Sequence, residues 1–296
     1  MKKRFKLATR GSALARVQSQ WVADKIMNCW PEITVELVFI KTLGDVNLDS
    51  SLASLGGKGI FTKEIEQALL DEHVDFAVHS LKDLPSQLPE GLTLGATPVR
   101  EDPRDALVGP LPIEELPDGA SVGTGSLRRQ VQLRTLRPQL AFEDIRGNVP
   151  TRIDKWRMGH FSGGVVLALA GLTRLGELAG AGIEEIHPLE VEQCMPAPCQ
   201  GILGIECREG DEAALSLLAG LADPAAGWAA TAERAFLREL GGGCNLPAGA
   251  LAEVVDSRIR FRALLEVDGQ LQRVDLQGSA DEAADLGRRA ADQLRK

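Results

Sequence analysis

The sequence predicts an α/β protein: two β-α-β series followed by a small C-terminal α+β domain. Three observations lead there. Strand-like and helix-like runs alternate through most of the chain, the pattern of a mainly parallel sheet with helical crossovers. The strand–turn–helix opening Leu7-Ala8-Thr9-Arg10-Gly11-Ser12 is echoed later by Val122-Gly123-Thr124-Gly125-Ser126-Leu127-Arg128-Arg129. After Gly241 the texture changes to alternating strands and one amphipathic helix.

Taken in order, Phe5–Thr9 reads as a strand, Ala13–Cys29 as a helix behind the turn Arg10-Gly11-Ser12, and Thr34–Ile40 as an alternating strand. Phe61–Leu70 places Phe61, Ile65, Ala68 and Leu69 on one helical face, and Asp75–His79 is a short buried strand. The proline-rich, charged passage from Pro98 to Pro117 predicts a crossing between domains. The second series runs through strand Ala120–Gly123, turn Thr124-Gly125-Ser126, helix Leu127–Leu136 and the wholly apolar strand Val165–Ala170. Cys194–Gly201, with Pro196 and Pro198, predicts the return crossing. Strands Arg258–Glu266 and Gln270–Gln277 and a helix from Asp281 complete the chain. The expected domains are 1–99 with 198–218, 100–197, and 219–296.

Composition narrows the function. The 296 residues carry 33 Lys and Arg against 42 Asp and Glu, a formal charge of −9, which argues against a broad nucleic-acid surface. Any cationic site is therefore a concentrated one. The five cysteines, Cys29, Cys194, Cys199, Cys207 and Cys244, are odd in number and form no C-x-x-C pair, and the four histidines show no zinc-ligand spacing. Neither a disulfide framework nor a metal site is expected. The basic N-terminus leads straight into a strand, and no run approaches the ~20 apolar residues of a membrane span, so the expected compartment is the cytoplasm.

Three constellations carry chemistry. The two echoed helix starts offer free N–H groups to an anion, with Ser12 and Ser126 adding hydroxyls. Arg10, Arg128, Arg129, Arg146, Arg152 and Arg174 add guanidinium groups suited to carboxylates. Taken singly, each serine reads equally well as an N-cap and each arginine as a solvated charge. His79-Ser80-Leu81-Lys82-Asp83-Leu84-Pro85 follows a strand, where residues of a parallel α/β sheet project into the ligand crevice, so Lys82 and Asp83 are candidate site residues. The turn Gly241-Gly242-Gly243-Cys244 presents a thiol on backbone stripped of side-chain cover.

These runs together resemble the porphobilinogen deaminases, also called hydroxymethylbilane synthases. The likeness rests on Ala8-Thr9-Arg10-Gly11-Ser12, Gly56-Gly57-Lys58-Gly59-Ile60-Phe61, His79 to Pro85, Arg100 to Ala106, Gly123 to Gln130, Arg146 to Val149, Gln200-Gly201 with Gly204-Ile205-Glu206, and Gly242-Gly243-Cys244, in the family's order. The resemblance implies two type II periplasmic-binding-protein-like α/β domains plus the small domain that bears the cysteine. It implies a transferase of tetrapyrrole (haem) biosynthesis that joins four porphobilinogen molecules into hydroxymethylbilane and releases ammonia. Cys244 would hold a covalent dipyrromethane cofactor by a thioether, and Asp83 would be the catalytic acid and base. Lys82, Ser126, Arg128, Arg129 and Arg146 would bind the cofactor. Arg10, Ser12, Arg152, Arg174, Phe61 and Gln200 would bind substrate, and Lys58 would ride on a mobile lid over 44–59. A monomer is expected, with a small molecule as partner and neither nucleic acid nor membrane.

The chain departs from the family pattern at Pro198-Cys199, Gly125, Gly163-Gly164 and Gly241. Two other classes share the architecture. An exported carboxylate-binding protein would explain the arginines but has no use for Cys244, and a transcriptional effector domain would need a helix-turn-helix module ahead of Phe5.

Overall fold

The computed structural model describes residues 2–43, 62–176, 185–242 and 246–295. Lys58, Phe61, Cys244 and the expected lid lie outside them. Strand β1 (Arg4–Thr9) buries Phe5 and Leu7, and α1 (Ala13–Cys29) starts at Ser12, whose hydroxyl accepts the Ala15 N–H at 3.4 Å. That bond satisfies one donor the helix leaves open. Val22, Ala23 and Ile26 of α1 then close over Phe5, Leu7 and Phe76 in one core cluster.

Strand β2 (Thr34–Phe39) lies parallel to β1, and β3 (Phe76–Ser80) pairs parallel on its other side. Helix α2 (Lys63–Leu70) and β4 (Leu92–Ala96) complete the first pass. The second pass comprises β5 (Asp105–Val108), β6 (Ser121–Gly123), α3 (Leu127–Leu136), β7 (Ala141–Glu143), α4 (Val149–Arg157), β8 (Gly164–Ala168), α5 (Leu169–Leu175) and β9 (Ile186–Pro188). The chain then returns as β10 (Leu203–Arg208).

The first sheet has the order β2-β1-β3-β10-β4 and the second β7-β6-β8-β5-β9. In the first, β10 runs antiparallel to both β3 and β4; in the second, β5 runs antiparallel to β8 and β9. Each sheet thus has one antiparallel strand, next to a crossing and fourth in order. This is the type II periplasmic-binding-protein-like architecture that the resemblance implies.

Two readings of the sequence need correction. The passage from Pro98 to Pro117 is more than a crossing, because Asp105–Val108 is the fully buried strand β5. Four residues between prolines are too few to announce a strand by alternation. The expected strand Val165–Ala170 ends at Ala168, and Leu169 opens α5. An unbroken apolar run does not distinguish a buried strand from a buried helix.

After α6 (Glu212–Ala219), α7 (Pro224–Glu239) is capped by Asp223, which accepts the Ala226 N–H at 2.8 Å. It packs with α8 (Ala283–Leu294) on the antiparallel sheet β11 (Ala248–Val255), β12 (Arg258–Val267) and β13 (Gln270–Ser279). The resulting core joins Phe236, Phe261 and Leu286 to Leu81 and Ile202, which anchors this unit on the first sheet.

A single buried carboxylate ties the same unit to both crossings. Glu233 of α7 accepts from Arg100 at 2.6 and 3.2 Å, from the Ala252 N–H at 2.8 Å and from the Cys199 N–H. The crossings touch at Gly201, where φ is +88° and a Cβ would lie 2.3 Å from the Glu101 carbonyl oxygen. Only glycine fits that approach.

Candidate active site

At the carboxyl end of β3 the chain tightens into the 3-10 turn Leu81–Asp83. Leu81 is buried and its N–H donates to the Ile202 carbonyl at 2.9 Å, which fixes the turn and leaves Lys82 and Asp83 projecting past the strand end. Asp83 is exposed and Lys82 half-buried. Both line a cleft of about 680 Å³. Ser126, Arg128, Arg129 and Gln200 line it too, so the two α/β units meet there.

The third unit reaches the same cleft through Arg238, Gly241, Gly242 and Leu246. Gly241 and Gly242 have φ of +87° and +54°, which turns the chain sharply as it leaves α7, and a Cβ on Gly242 would lie 3.2 Å from the Ser86 hydroxyl. The described residues on either side of Cys244 therefore share a cleft with Asp83.

Electrostatics centre on a residue to which the sequence analysis gave no role. Asp105, wholly buried at the start of β5, sits 2.8 Å from Arg128 Nη1 and 2.6 Å from Arg129 Nη2. Burial alone would push its carboxyl up, but the two guanidinium groups outweigh burial and hold it well below the usual carboxylate range. Arg128 also donates to the Met195 carbonyl at 2.6 Å, and Arg129 to the Val166 carbonyl at 2.8 Å. The two arginines expected to form an open anion cradle thus each have an internal partner. Arg129 Nε remains buried without one. Two adjacent arginines drawn into a core need an acid beside them, but nothing in the sequence marks Asp105 as that acid.

Gln200 links this pair to Lys82. Its Nε2 donates to Asp105 at 2.9 Å and to the Pro103 carbonyl at 2.8 Å, and its Oε1 accepts from Lys82 Nζ at 3.2 Å. Burial lowers the Lys82 pKa to about 8, with Arg129 and Arg128 pushing the same way against Asp83 and Asp105.

The remaining expected residues are distributed more widely. Ser126 precedes α3, makes no side-chain cap bond and lines the cleft. Arg152 of α4 donates to the Gly147 carbonyl at 2.8 Å; burial lowers its pKa, the charge of Arg129 adds to that, and Asp83 opposes it. It therefore lies in the field of the cleft. Arg146 is exposed, with Nε 3.9 Å from Asp144. Arg174 of α5 donates to the Gly201 carbonyl at 2.7 Å, beside the crossings. Ser12 caps α1, and neither it nor Arg10 is among the described residues lining the cleft. Arg238 and Glu66, which do line it, escaped the sequence analysis because nothing local distinguishes them from surface charges of a helix.

The buried thiols are poor rivals for attachment. Burial pushes Cys194 up to about 12 and raises Cys199 further, with Glu233 adding to it. Cys199, at φ +64°, is packed in the core beneath the C-terminal unit.

Comparison with known proteins agrees with this geometry. A family model described as "Porphobilinogen deaminase, dipyromethane cofactor binding domain" matches residues 5–216, and one described as "Porphobilinogen deaminase, C-terminal domain" matches residues 228–296. The chain is 48% identical to a porphobilinogen deaminase of Roseiflexus sp. (strain RS-1), covering 99% of this chain and 96% of the relative. It is 46% identical to that of Syntrophus aciditrophicus (strain SB), covering 98% and 94%. Among solved structures it is similar to the methionine-binding protein MetQ, at 13% identity and a TM-score of 0.44 over 78% of this chain and 91% of that one, a likeness that carries no argument about ligands. By both family models and these full-length relatives, the chain belongs to the porphobilinogen deaminase family, transferases of tetrapyrrole biosynthesis that work on a dipyrromethane cofactor.

Proposed function

We propose that Cys244 holds the dipyrromethane by a thioether and that Asp83 carries the proton transfers as four porphobilinogen molecules are joined into hydroxymethylbilane. The observation that carries this reading is the shared cleft, which Asp83 lines together with Gly242 and Leu246 on either side of Cys244. The residues fit an acidic pyrrole chain. Lys82, Arg128, Arg129 and Arg238 surround the cleft, and the buried, unpartnered Nε of Arg129 is a donor awaiting an acceptor. When bound, the cofactor supplies a free ring position from which the product chain grows.

Lys82, Ser126, Arg128, Arg129 and Arg146 are assigned to the cofactor's carboxylates. Arg10, Ser12, Arg152, Arg174, Phe61 and Gln200 are assigned to the growing chain and the monomer, with Gln200 working through its hold on Lys82. Asp105 neutralises part of the arginine charge, so the arginines are held in place before any ligand arrives. Asp83, exposed at the strand end, is free to exchange protons with the leaving amine. Lys58 is assigned to a lid.

The domain limits 1–99 with 198–218, 100–197, and 219–296 follow sheet membership and are part of this reading. So are a monomeric state and a cytoplasmic location. No single described helix is long and apolar enough to cross a membrane. The decisive experiment is an intact-protein mass spectrum: the chain should exceed its own mass by two pyrrole units, and Cys244→Ala should return it to the bare value. A loaded Cys244→Ala protein, or an unmodified protein that turns over porphobilinogen, would overturn the assignment.

A further inference from the structure

Among the described residues lining the cleft, the acidic side chains are Asp83 and Glu66, set among Lys63, Lys82, Arg128, Arg129 and Arg238. That balance suits the carboxylate arms of a porphobilinogen. It leaves the third charged group of the same molecule, its primary ammonium, with two acidic residues to meet. Asp83 is exposed. Glu66, in the first turn of α2, is 7% exposed, and its Oε1 is buried with no hydrogen-bond partner.

Behind Glu66 lies a second orphan. Glu206 of β10 is wholly buried; its Oε2 is 3.0 Å from His79 Nε2 on β3, while its Oε1 also has no partner. A buried acceptor without a donor costs free energy, more if charged. The groups that act on Glu66 are Thr62, just ahead of its helix, Glu206, His79 and Lys63 of the helix itself. Burial pushes the Glu66 pKa up and Glu206 adds to it, against Thr62, His79 and Lys63, so burial outweighs the groups that favour its carboxylate.

We infer that Glu66, backed by the His79–Glu206 pair, is an acceptor site in the cleft for a primary ammonium group: that of the arriving porphobilinogen and the ammonium ion released from it. The inference rests on the function proposed above. Each condensation breaks one C–N bond with the electron pair going to nitrogen, forms one C–C bond from the free ring carbon of the chain to the methylene carbon, and frees the proton of that ring carbon, so ammonia and that proton leave together as one ammonium ion. An acidic site in an otherwise cationic cleft gives that ion a place to separate from Lys82 and the arginines.

The test is hydroxymethylbilane formation by the cofactor-loaded enzyme in rising ammonium chloride, at an ionic strength held constant with tetramethylammonium chloride. The latter cation has no N–H to donate. Ammonium should raise the apparent KM for porphobilinogen in the wild type. In Glu66→Gln the inhibition constant should weaken at least tenfold and the KM in the absence of ammonium should rise about tenfold, with cofactor loading by mass unchanged. Glu66→Asp should retain part of the ammonium sensitivity. Equal inhibition of wild type and Glu66→Gln overturns the inference, and so does a wild type no more sensitive to ammonium than to tetramethylammonium. Should neither variant fold, that second comparison decides alone. A wild-type protein that carries its cofactor but makes no product from porphobilinogen overturns the proposed function, and with it this site.

Discussion

Arg128 and Arg129 lie side by side in the interior, and one carboxylate makes that tolerable. Removing one member of such a group leaves uncompensated buried charge. Asp105→Asn should therefore lower stability by about 3–5 kcal/mol at pH 7, measured by denaturant unfolding. The sign with pH follows from the depressed pKa of Asp105: its contribution is present above the unfolded carboxylate value of about 4 and is lost as pH falls toward the folded value. Wild type and variant should therefore converge in acid. Lys82 works at the other end of the scale. With its pKa lowered to about 8, its ammonium loses charge as pH rises through that value, so the cofactor's carboxylates would be held less firmly beside the arriving monomer and the KM for porphobilinogen should climb on the alkaline side. Lys82→Arg keeps its charge and should flatten that rise. Asp83→Asn keeps size but loses proton transfer, so kcat should fall by at least ~10²-fold while cofactor loading and melting temperature stay close to wild type.

Among the elements, the crossings carry the tightest geometry. At Gly201 a methyl group meets the Glu101 carbonyl at 2.3 Å and the backbone is left-handed, so Gly201→Ala should destabilise by about 1–3 kcal/mol. Thermal unfolding checks this, and an unchanged melting temperature would mean that the crossings yield freely. The turn after α3 and β7 behaves differently. Arg146 is exposed beside Asp144, a pair of the kind worth about 0–1 kcal/mol. Arg146→Ala should leave the melting temperature nearly unchanged, and any loss of cofactor loading would then report ligand contact rather than folding. Helix α7 links the scales: Glu233 near its middle grips both crossings, and its last turn delivers Arg238 and the glycine pair to the cleft.

For the whole molecule, the crossing strands β5 and β10 lock the two α/β units into one frame, and the third unit closes over it through the core shared by Leu81, Ile202 and Phe236. A cofactor tethered at Cys244 stays on the unfolded chain as well, so it would stabilise the closed frame through the contacts it makes with the three units only when they are assembled. The Cys244→Ala protein should therefore melt a few degrees below the cofactor-loaded enzyme, and the gap should narrow when Arg129 is also replaced by Ala. Equal melting temperatures would show that the cofactor bears on one unit only.

Much of this was legible in one dimension. Helices Ala13–Cys29 and Leu127–Leu136 end where apolar spacing and the serine turns place them, and Lys82 and Asp83 stand at a strand end because β3 is a short apolar run broken by a turn. Such features depend on neighbours in the chain, which local sterics and periodicity govern. Asp105 with its arginines, Gln200 with Lys82, and Glu66 with Glu206 depend on residues 23 to 140 positions apart, and no local pattern marks which acid a buried arginine meets. Strand β5 was hidden for the same reason: four residues become a strand only because β8 and β9 flank them. The residue types were therefore a matter of sequence, while their charge partners, and with them the chemistry of the cleft, were decided by the packing of three units around one space.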